Sequence, residues 1–454
     1  KGNFMTTIHL SKIAEQLNAE LHGEDAVMTG SKIDSRQIEN GDLFVALSGE
    51  NMDGHDFIEQ ARLAGASGAL VNRYIANELP QIVVDDVTKA YGAIARLWRE
   101  NSHAKVVAVT GSNGKTTLKE MISSILAQSG NVLSTKGNLN NNLGVPLTLT
   151  RLNDSYDYAV IEMGANHSGE IATLVAMAEP DVAVINNVGA AHLEGFGSLQ
   201  GVAEAKGEIY AGLKADGVAV INADMPYGDL WKQILGARQH ISFGLQQPAD
   251  IVALDLQLAI TGSHFMVRLD GVCHFIFLPL PGIHNVSNAL AAIAVCSALS
   301  IEPEAIVKGL AAIKAVPHRL QLREAVNNAL VIDDTYNANP GSFRQALQTL
   351  MQFPGEHWLV LGDFGELGPE STAIHQQLGR DAQAAGVKRL FTIGQQSQLA
   401  SAEFADNAQH FNELSELEAE LKNALNKDVA CLIKGSRFMK LDKLADALAV
   451  GGEA

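Results

Sequence analysis

The chain has 454 residues, 47% hydrophobic and 19% charged, a globular balance that excludes a disordered or low-complexity protein. Its length predicts about three domains. A formal net charge of −18 argues against wholesale binding to nucleic acid, which needs a basic face. Cys273, Cys296 and Cys431 are scattered without metal spacing, which fits a reducing compartment. Residues 1–25 hold no apolar run of signal-peptide length, and Val286–Ile301 is too short and too polar to span a membrane. A cytoplasmic location is therefore expected, with Met5 as the native start after Lys1–Phe4.

In chain order, Asp42–Gly49 reads as a strand, and His55–Val71 as a helix, a glycine stop and a strand. Glu78–Val87 reads as a last strand leading into a helix. Residues 1–86 are thus expected to form a small N-terminal α/β domain. Over 87–314, four apolar runs suit strands buried on both faces of a parallel sheet: Lys105–Thr110, Tyr158–Met163, Val182–Val188 and Gly217–Asn222. Residues 250–280 alternate more weakly around turns, which predicts an antiparallel insertion. Over 315–454, Ala329–Asp334, His357–Asp363, Arg389–Gly394 and Val429–Lys434 predict a second doubly wound unit, Rossmann-like. The fold class is α/β throughout.

The stretch "VVAVTGSNGKTTLKEM" (Val106–Met121) has the form of a phosphate loop. Gly111 and Gly114 are separated only by Ser112 and Asn113, not by the usual four residues. Gly114, Lys115 and Thr116 still fall at a strand-to-helix turn, where free amides and the helix dipole attract an anion. Lys115 can reach β/γ phosphates, and the Thr116 hydroxyl can ligate Mg²⁺. Leu118, Met121, Ile122, Ile125 and Leu126 give the following helix its apolar face. Ligands of open parallel sheets sit outside the strands' carboxyl ends, which brings Glu162 and His192 to the same edge.

Seven stretches in order resemble the Mur ligase superfamily: "TGSNGKTT", "EMGANHSGEI" (Glu162–Ile171), "NNVGAAHLEGFGS" (Asn186–Ser198), "EAKGEIY" (Glu204–Tyr210), "GIHNVSNALAA" (Gly282–Ala292), "DDTYNANP" (Asp333–Pro340) and "GDFGELG" (Gly362–Gly368). The N-terminal "DSRQIENGDLFVALSGENMDGHDF" (Asp34–Phe57) is similar to the nucleotide-sugar domain of certain members. The resemblance implies a nucleotide-sugar domain (1–86), a central ATPase domain (87–314) and a C-terminal Rossmann-like domain (315–454). It also implies a reaction. ATP phosphorylates the terminal carboxylate of UDP-N-acetylmuramoyl-tripeptide, and the amine of D-alanyl-D-alanine attacks the acyl phosphate. A carboxylate needs such a leaving group, and transfer of phosphoryl to an anion needs its charge neutralised by lysine and Mg²⁺.

Carried onto this chain, the resemblance implies that Gly111, Ser112, Asn113, Gly114, Lys115, Thr116 and Thr117 hold the phosphates of ATP. Thr116, Glu162 and His192 would hold Mg²⁺, and Asn285 and Asn288 would face the adenine. Arg319 would reach the γ-phosphate and Asp334 the ribose, with Tyr336 and Asn337 nearby. Lys206 would act with Lys115, Glu162 and His192 in catalysis, as a carbamate formed from CO₂; the alternative is an exposed lysine paired with a helical glutamate. Ser35 and Arg36 would meet the UDP phosphates, with Asp53 and His55 near the uracil. Asn138 and Asn140 would meet the muramoyl tripeptide. "IKGSR" (Ile433–Arg437) would lie near the dipeptide.

The enzyme is expected to be a monomer without nucleic-acid partners or a membrane span. Two alternatives compete: an amide ligase like folylpolyglutamate synthase, which generally lacks the N-terminal unit, and an ATPase that ligates nothing. The tripeptide-synthesising members usually carry an arginine-rich diaminopimelate motif that is not found here.

Overall fold

A computed structural model describes residues 7–50, 52–189, 193–404 and 406–450. Three α/β units follow one another along the chain. The first is built on a five-stranded sheet in the order Glu20–His22, Gln81–Val83, Gly68–Val71, Asp42–Val45, Gly30–Lys32. Only the pairing of Glu20–His22 with Gln81–Val83 is antiparallel.

The central sheet has seven strands, all parallel. Their order is Ile251–Val252, Gln239–Gly244, Val218–Asn222, Val182–Ile185, Lys105–Thr110, Tyr158–Glu162, Val132–Ser134. Lys105–Thr110 lies near the middle, and Val106 to Thr110 are all buried. Helices cover both faces, so the continuous apolar run has a partner on each side. A three-stranded antiparallel sheet, Leu254–Ala259, Gly262–Leu269 and Val272–Leu278, forms the expected insertion.

The C-terminal sheet runs Gln321–Glu324, Leu330–Asp334, Val429–Lys434, Glu356–Gly362, Arg389–Ile393, Ala408–Phe411. Five strands are parallel, and the edge strand Gln321–Glu324 is antiparallel.

The helix Val87–Glu100 buries Tyr91, Ile94 and Trp98 in one apolar cluster. That cluster reaches from Leu43, Val45 and Leu70 in the first sheet to Val106, Ala108 and Ile161 in the central one. A buried hydroxyl chain crosses the same junction: Ser31 Oγ lies 2.6 Å from Tyr91 Oη and 2.7 Å from Thr150 Oγ1. The C-terminal sheet instead packs into two clusters of its own, one on each face. Among the described residues no helix is long and apolar enough to cross a membrane.

Candidate active site

The phosphate loop is shaped by its glycine and by a set of asparagines. Gly114 has φ +73, and a Cβ there would sit 2.8 Å from Asn186 Nδ2 and 2.9 Å from Asn288 Oδ1. Left-handed backbone without clearance requires glycine. The amides of Ser112 and Asn113 are taken by Asn187, through its carbonyl (3.0 Å) and its Oδ1 (2.8 Å). Those of Gly114, Lys115, Thr116 and Thr117 meet no acceptor among the described residues. Four free donors at the start of helix Lys115–Leu126 form an anion site reinforced by the helix dipole. Lys115 Nζ, which donates to the Gly111 carbonyl at 2.8 Å, lies over it. Burial lowers the Lys115 pKa, Glu162 opposes the shift and Arg319 adds to it.

Glu162 ends its strand 2% exposed. Its Oε2 accepts from Thr116 Oγ1 at 2.9 Å and its Oε1 from Asn140 Nδ2 at 2.9 Å. Its own amide donates to Thr135 Oγ1 at 2.9 Å, and the buried Lys119 ammonium donates to the Thr135 carbonyl at 2.6 Å. The asparagine-rich loop is thereby pinned at its root by Lys119 and at its tip by Glu162. The Thr116 hydroxyl and Glu162 carboxylate are adjacent hard oxygen donors facing a roomy polar cavity, the donor set Mg²⁺ prefers when it keeps several waters. His192 lies outside the described residues. One other group has metal-like spacing among the described residues, His318, Asp333 and Asp446. Arg323 Nη1 already bridges its carboxylates, 3.1 Å from Asp333 and 2.6 Å from Asp446, so that cluster is an ion-pair network.

Lys206 lies on helix Leu199–Ala211, which Ser198 caps by accepting from the Gly201 amide at 3.0 Å. The residue is 3% exposed and faces the cavity, so the reading as an exposed, paired lysine does not hold. Glu208 is engaged elsewhere, accepting from the amides of Gly169 (2.7 Å) and Ala172 (2.9 Å) at the start of the neighbouring helix. Glu204 accepts from Gln200 Nε2 at 2.9 Å. Burial, and then the charge of Lys115, bring the Lys206 pKa down to about 7.

The C-terminal unit closes the opposite wall. Arg319 leaves the segment between the two sheets and donates from Nη2 to Thr116 Oγ1 at 2.9 Å, its guanidinium 4.0 Å from the Tyr336 ring centre. Asp334, at the end of its strand, accepts from Lys434 Nζ at 2.5 Å and from the Leu320 amide at 3.2 Å. Lys434 also donates to the Asn337 carbonyl at 3.1 Å. Burial, partly offset by Asp334, drives the His284 pKa down to about 4, which leaves the ring neutral at pH 7.

Asn285 and Asn288, expected beside the adenine, open helix Ile283–Ala298 as links in an amide chain. Asn285 Nδ2 donates to the Pro281 carbonyl (2.8 Å), Asn288 Nδ2 to Asn285 Oδ1 (3.3 Å) and Asn186 Nδ2 to Asn288 Oδ1 (2.7 Å). That chain ends at the Asn113 carbonyl, to which Asn186 Nδ2 also donates at 3.0 Å, in the phosphate loop.

A cavity of about 890 Å³ between the central and C-terminal units joins these groups: Ser112 to Thr117, Asn138, Asn140, Glu162, Lys206, Asn285, Asn288, Arg319 and Asp334 all line it. Ser35, Arg36, Asp53 and His55 do not. Ser35 Oγ donates to Gln60 Oε1 at 2.9 Å, and the exposed Arg36 forms a fork with Asp34 at 2.9 and 2.8 Å. The buried His55 lies 2.6 Å through Nδ1 from Asp53, and its Nε2 accepts from the Asn72 amide, so Nδ1 carries the proton. Arg73, its strongest partner, and His55 hold the Asp53 carboxyl well below the usual carboxylate range. Sequence reading assigned no role to Asn186, Asn187, Asn222 or Asn339. Asparagines at strand ends were the available signal, but nothing in the letters distinguishes a loop scaffold from a turn.

A nest of free amides, a buried cation and a carboxylate–hydroxyl pair, facing a second α/β unit across one cleft, form a site for the phosphates of a nucleotide. Three family models match in succession: the Mur ligase family catalytic domain over residues 27–122, the middle domain over 109–296 and the glutamate ligase domain over 318–437. The chain belongs to the Mur ligase family. It is 44% identical to the UDP-N-acetylmuramoyl-tripeptide–D-alanyl-D-alanine ligase of Escherichia coli (strain K12), over 99% of this chain and 100% of that one. The crystal structure of MurF from Acinetobacter baumannii superposes with a TM-score of 0.90 at 36% identity, covering 97% of this chain and 98% of that one. MurF ligase from Thermotoga maritima, solved in complex with ADP, gives a TM-score of 0.82 at 29% identity, over 92% and 96%.

Proposed function

We infer that the chain joins D-alanyl-D-alanine to UDP-N-acetylmuramoyl-tripeptide, with ATP converted to ADP and phosphate. The observation that carries this reading is full-length similarity to ligases of that name, together with a cavity holding each group the chemistry needs. The free amides of Gly114 to Thr117 and the Lys115 ammonium bind the phosphates and neutralise charge as the γ-phosphoryl passes to the tripeptide carboxylate. Arg319 holds the same phosphoryl group from the other wall. Asn140, already fixed by Glu162, orients the tripeptide end. The amine of the dipeptide then attacks the acyl carbon, a C–N bond forms, the C–O bond to phosphate breaks and the amine proton leaves. Thr116 and Glu162 would hold Mg²⁺, which supplies Lewis-acid neutralisation of the phosphate oxygens.

Lys206 fits carbamate formation. A pKa near 7 leaves much of the amine neutral at neutral pH. The neutral amine adds to CO₂ and loses a proton, giving an anion suited to Mg²⁺. Lys206→Ala should lose activity, and a short-chain carboxylic acid should restore part of it. Full activity of the unsupplemented variant would remove Lys206 from the mechanism.

Ser35, Arg36, Asp53 and His55 are read as the nucleotide-sugar anchor and the cytoplasm as the site of action. The deciding experiment measures phosphate release from Mg-ATP and UDP-N-acetylmuramoyl-tripeptide with and without the dipeptide, and weighs the product. Release that depends on the dipeptide, with a pentapeptide product, is expected. Release that ignores the dipeptide would leave an ATPase.

A further inference from the structure

The side chain of Asn113, one of the two residues between the loop glycines, points out of the loop. Its backbone is fully committed: the amide donates to Asn187 Oδ1 at 2.8 Å, and the carbonyl accepts from Asn186 Nδ2 and Asn187 Nδ2, both at 3.0 Å. Its side-chain Oδ1 crosses the cleft and accepts from Asn339 Nδ2 at 2.7 Å, a partner 226 residues away.

Asn339 is the N-cap of helix Pro340–Leu350 in the C-terminal unit. Its Oδ1 accepts from the Ser342 amide at 2.9 Å, and its own amide donates to Ser342 Oγ at 3.1 Å. One amide side chain thus serves two tasks, the oxygen capping its own helix and the nitrogen holding the phosphate loop. The approach is close. A Cβ on Gly341 would come within 3.3 Å of both Asn113 Nδ2 and Asn339 Oδ1. Among the described residues, Arg319 on Thr116 is the other hydrogen bond from the C-terminal unit to this loop.

We propose that Asn113 and Asn339 are a coupling pair of positioning residues that hold the C-terminal unit against the phosphate loop and so keep the cleft in its nucleotide-ready form. The inference rests on the ATP-dependent reading above. Asn113 is anchored to the central sheet by three backbone hydrogen bonds, and Asn339 to its helix by a reciprocal cap. Both ends of the contact are rigid, so the bond between them sets the distance between the two units. Arg319, Asp334 and Asn337 reach the nucleotide cavity only at that distance. A protein whose competent form is populated only in part binds its ligand more weakly by that fraction.

The test is calorimetric titration of MgADP into the wild type, Asn113→Ala, Asn339→Ser and the double variant. Serine is a good N-cap, so Asn339→Ser keeps the helix start while removing the nitrogen that crosses the cleft. Each single variant is expected to raise Kd by about three- to tenfold, the range for one neutral hydrogen bond. The double variant should rise no further than the larger single. Ligand-free Asn339→Ser should also show a larger radius of gyration than the wild type, with an unchanged melting temperature. Unchanged Kd in either single variant, or effects that simply multiply in the double, would overturn the coupling while leaving the ligase reading intact. A wild type that binds no MgADP would overturn both.

Discussion

Lys206 is held in the wall of the cavity while the two carboxylates nearest it in sequence are turned to other partners. Burial and the charge of Lys115 bring its pKa to about 7, against 10.5 for an ordinary lysine. The unfolded chain therefore binds more protons than the fold between those values. The penalty for charging Lys206 is present in full below pH 7 and fades as pH rises toward 10.5. In CO₂-free buffer, Lys206→Met should melt roughly 5 °C or more above the wild type at pH 7, with the gap closing toward pH 10. A gap independent of pH would show that Lys206 binds its proton equally well in the folded and unfolded chain, the methionine gaining by packing alone. Stability given up at one position for chemistry is a common feature of active sites.

At the scale of the element, the phosphate-loop turn depends on Gly114. Gly114→Ala would force a Cβ into Asn186 and Asn288 from a left-handed backbone. It is expected to raise the apparent KM for ATP at least about tenfold and to lower stability by about 1–2 kcal/mol, read from turnover and denaturant melts. A variant with wild-type kinetics would mean that the loop reshapes on binding. The strands around this turn were readable because each is buried on both faces and leaves a continuous apolar run. Val132–Ser134, Ile251–Val252, Gln321–Glu324 and Ala408–Phe411 were not read as strands. They are short, partly exposed and lie at or near sheet edges, so burial writes little into their sequence. The same contrast holds in the site. Lys115, Thr116 and Glu162 follow from the chemistry of a loop at a strand end. The pairing of Lys434 with Asp334 does not, because it depends on two strands about a hundred residues apart lying side by side. The lysine of "IKGSR", the stretch expected near the dipeptide, is engaged with the carboxylate expected to meet the ribose.

Across the whole molecule, the first two sheets share one apolar cluster and a buried hydroxyl chain, whereas the C-terminal sheet keeps its cores to itself. Scanning calorimetry should therefore resolve two transitions, the first two units melting together. On the reading above MgADP would touch both bodies, and it should then raise both. Three separate transitions would show that the Tyr91 and Trp98 helix does not weld the first unit to the second. The shared core has a further consequence for the order of events. On the reading above, Ser35, Arg36, Asp53 and His55 grip the sugar nucleotide, and the phosphate loop grips ATP, on one body. The sugar-nucleotide anchor and the phosphate loop then keep a fixed separation however the C-terminal unit swings. The frame on which activation is set out is then rigid, and the moving unit completes it by bringing up Arg319 and, after it, the amine.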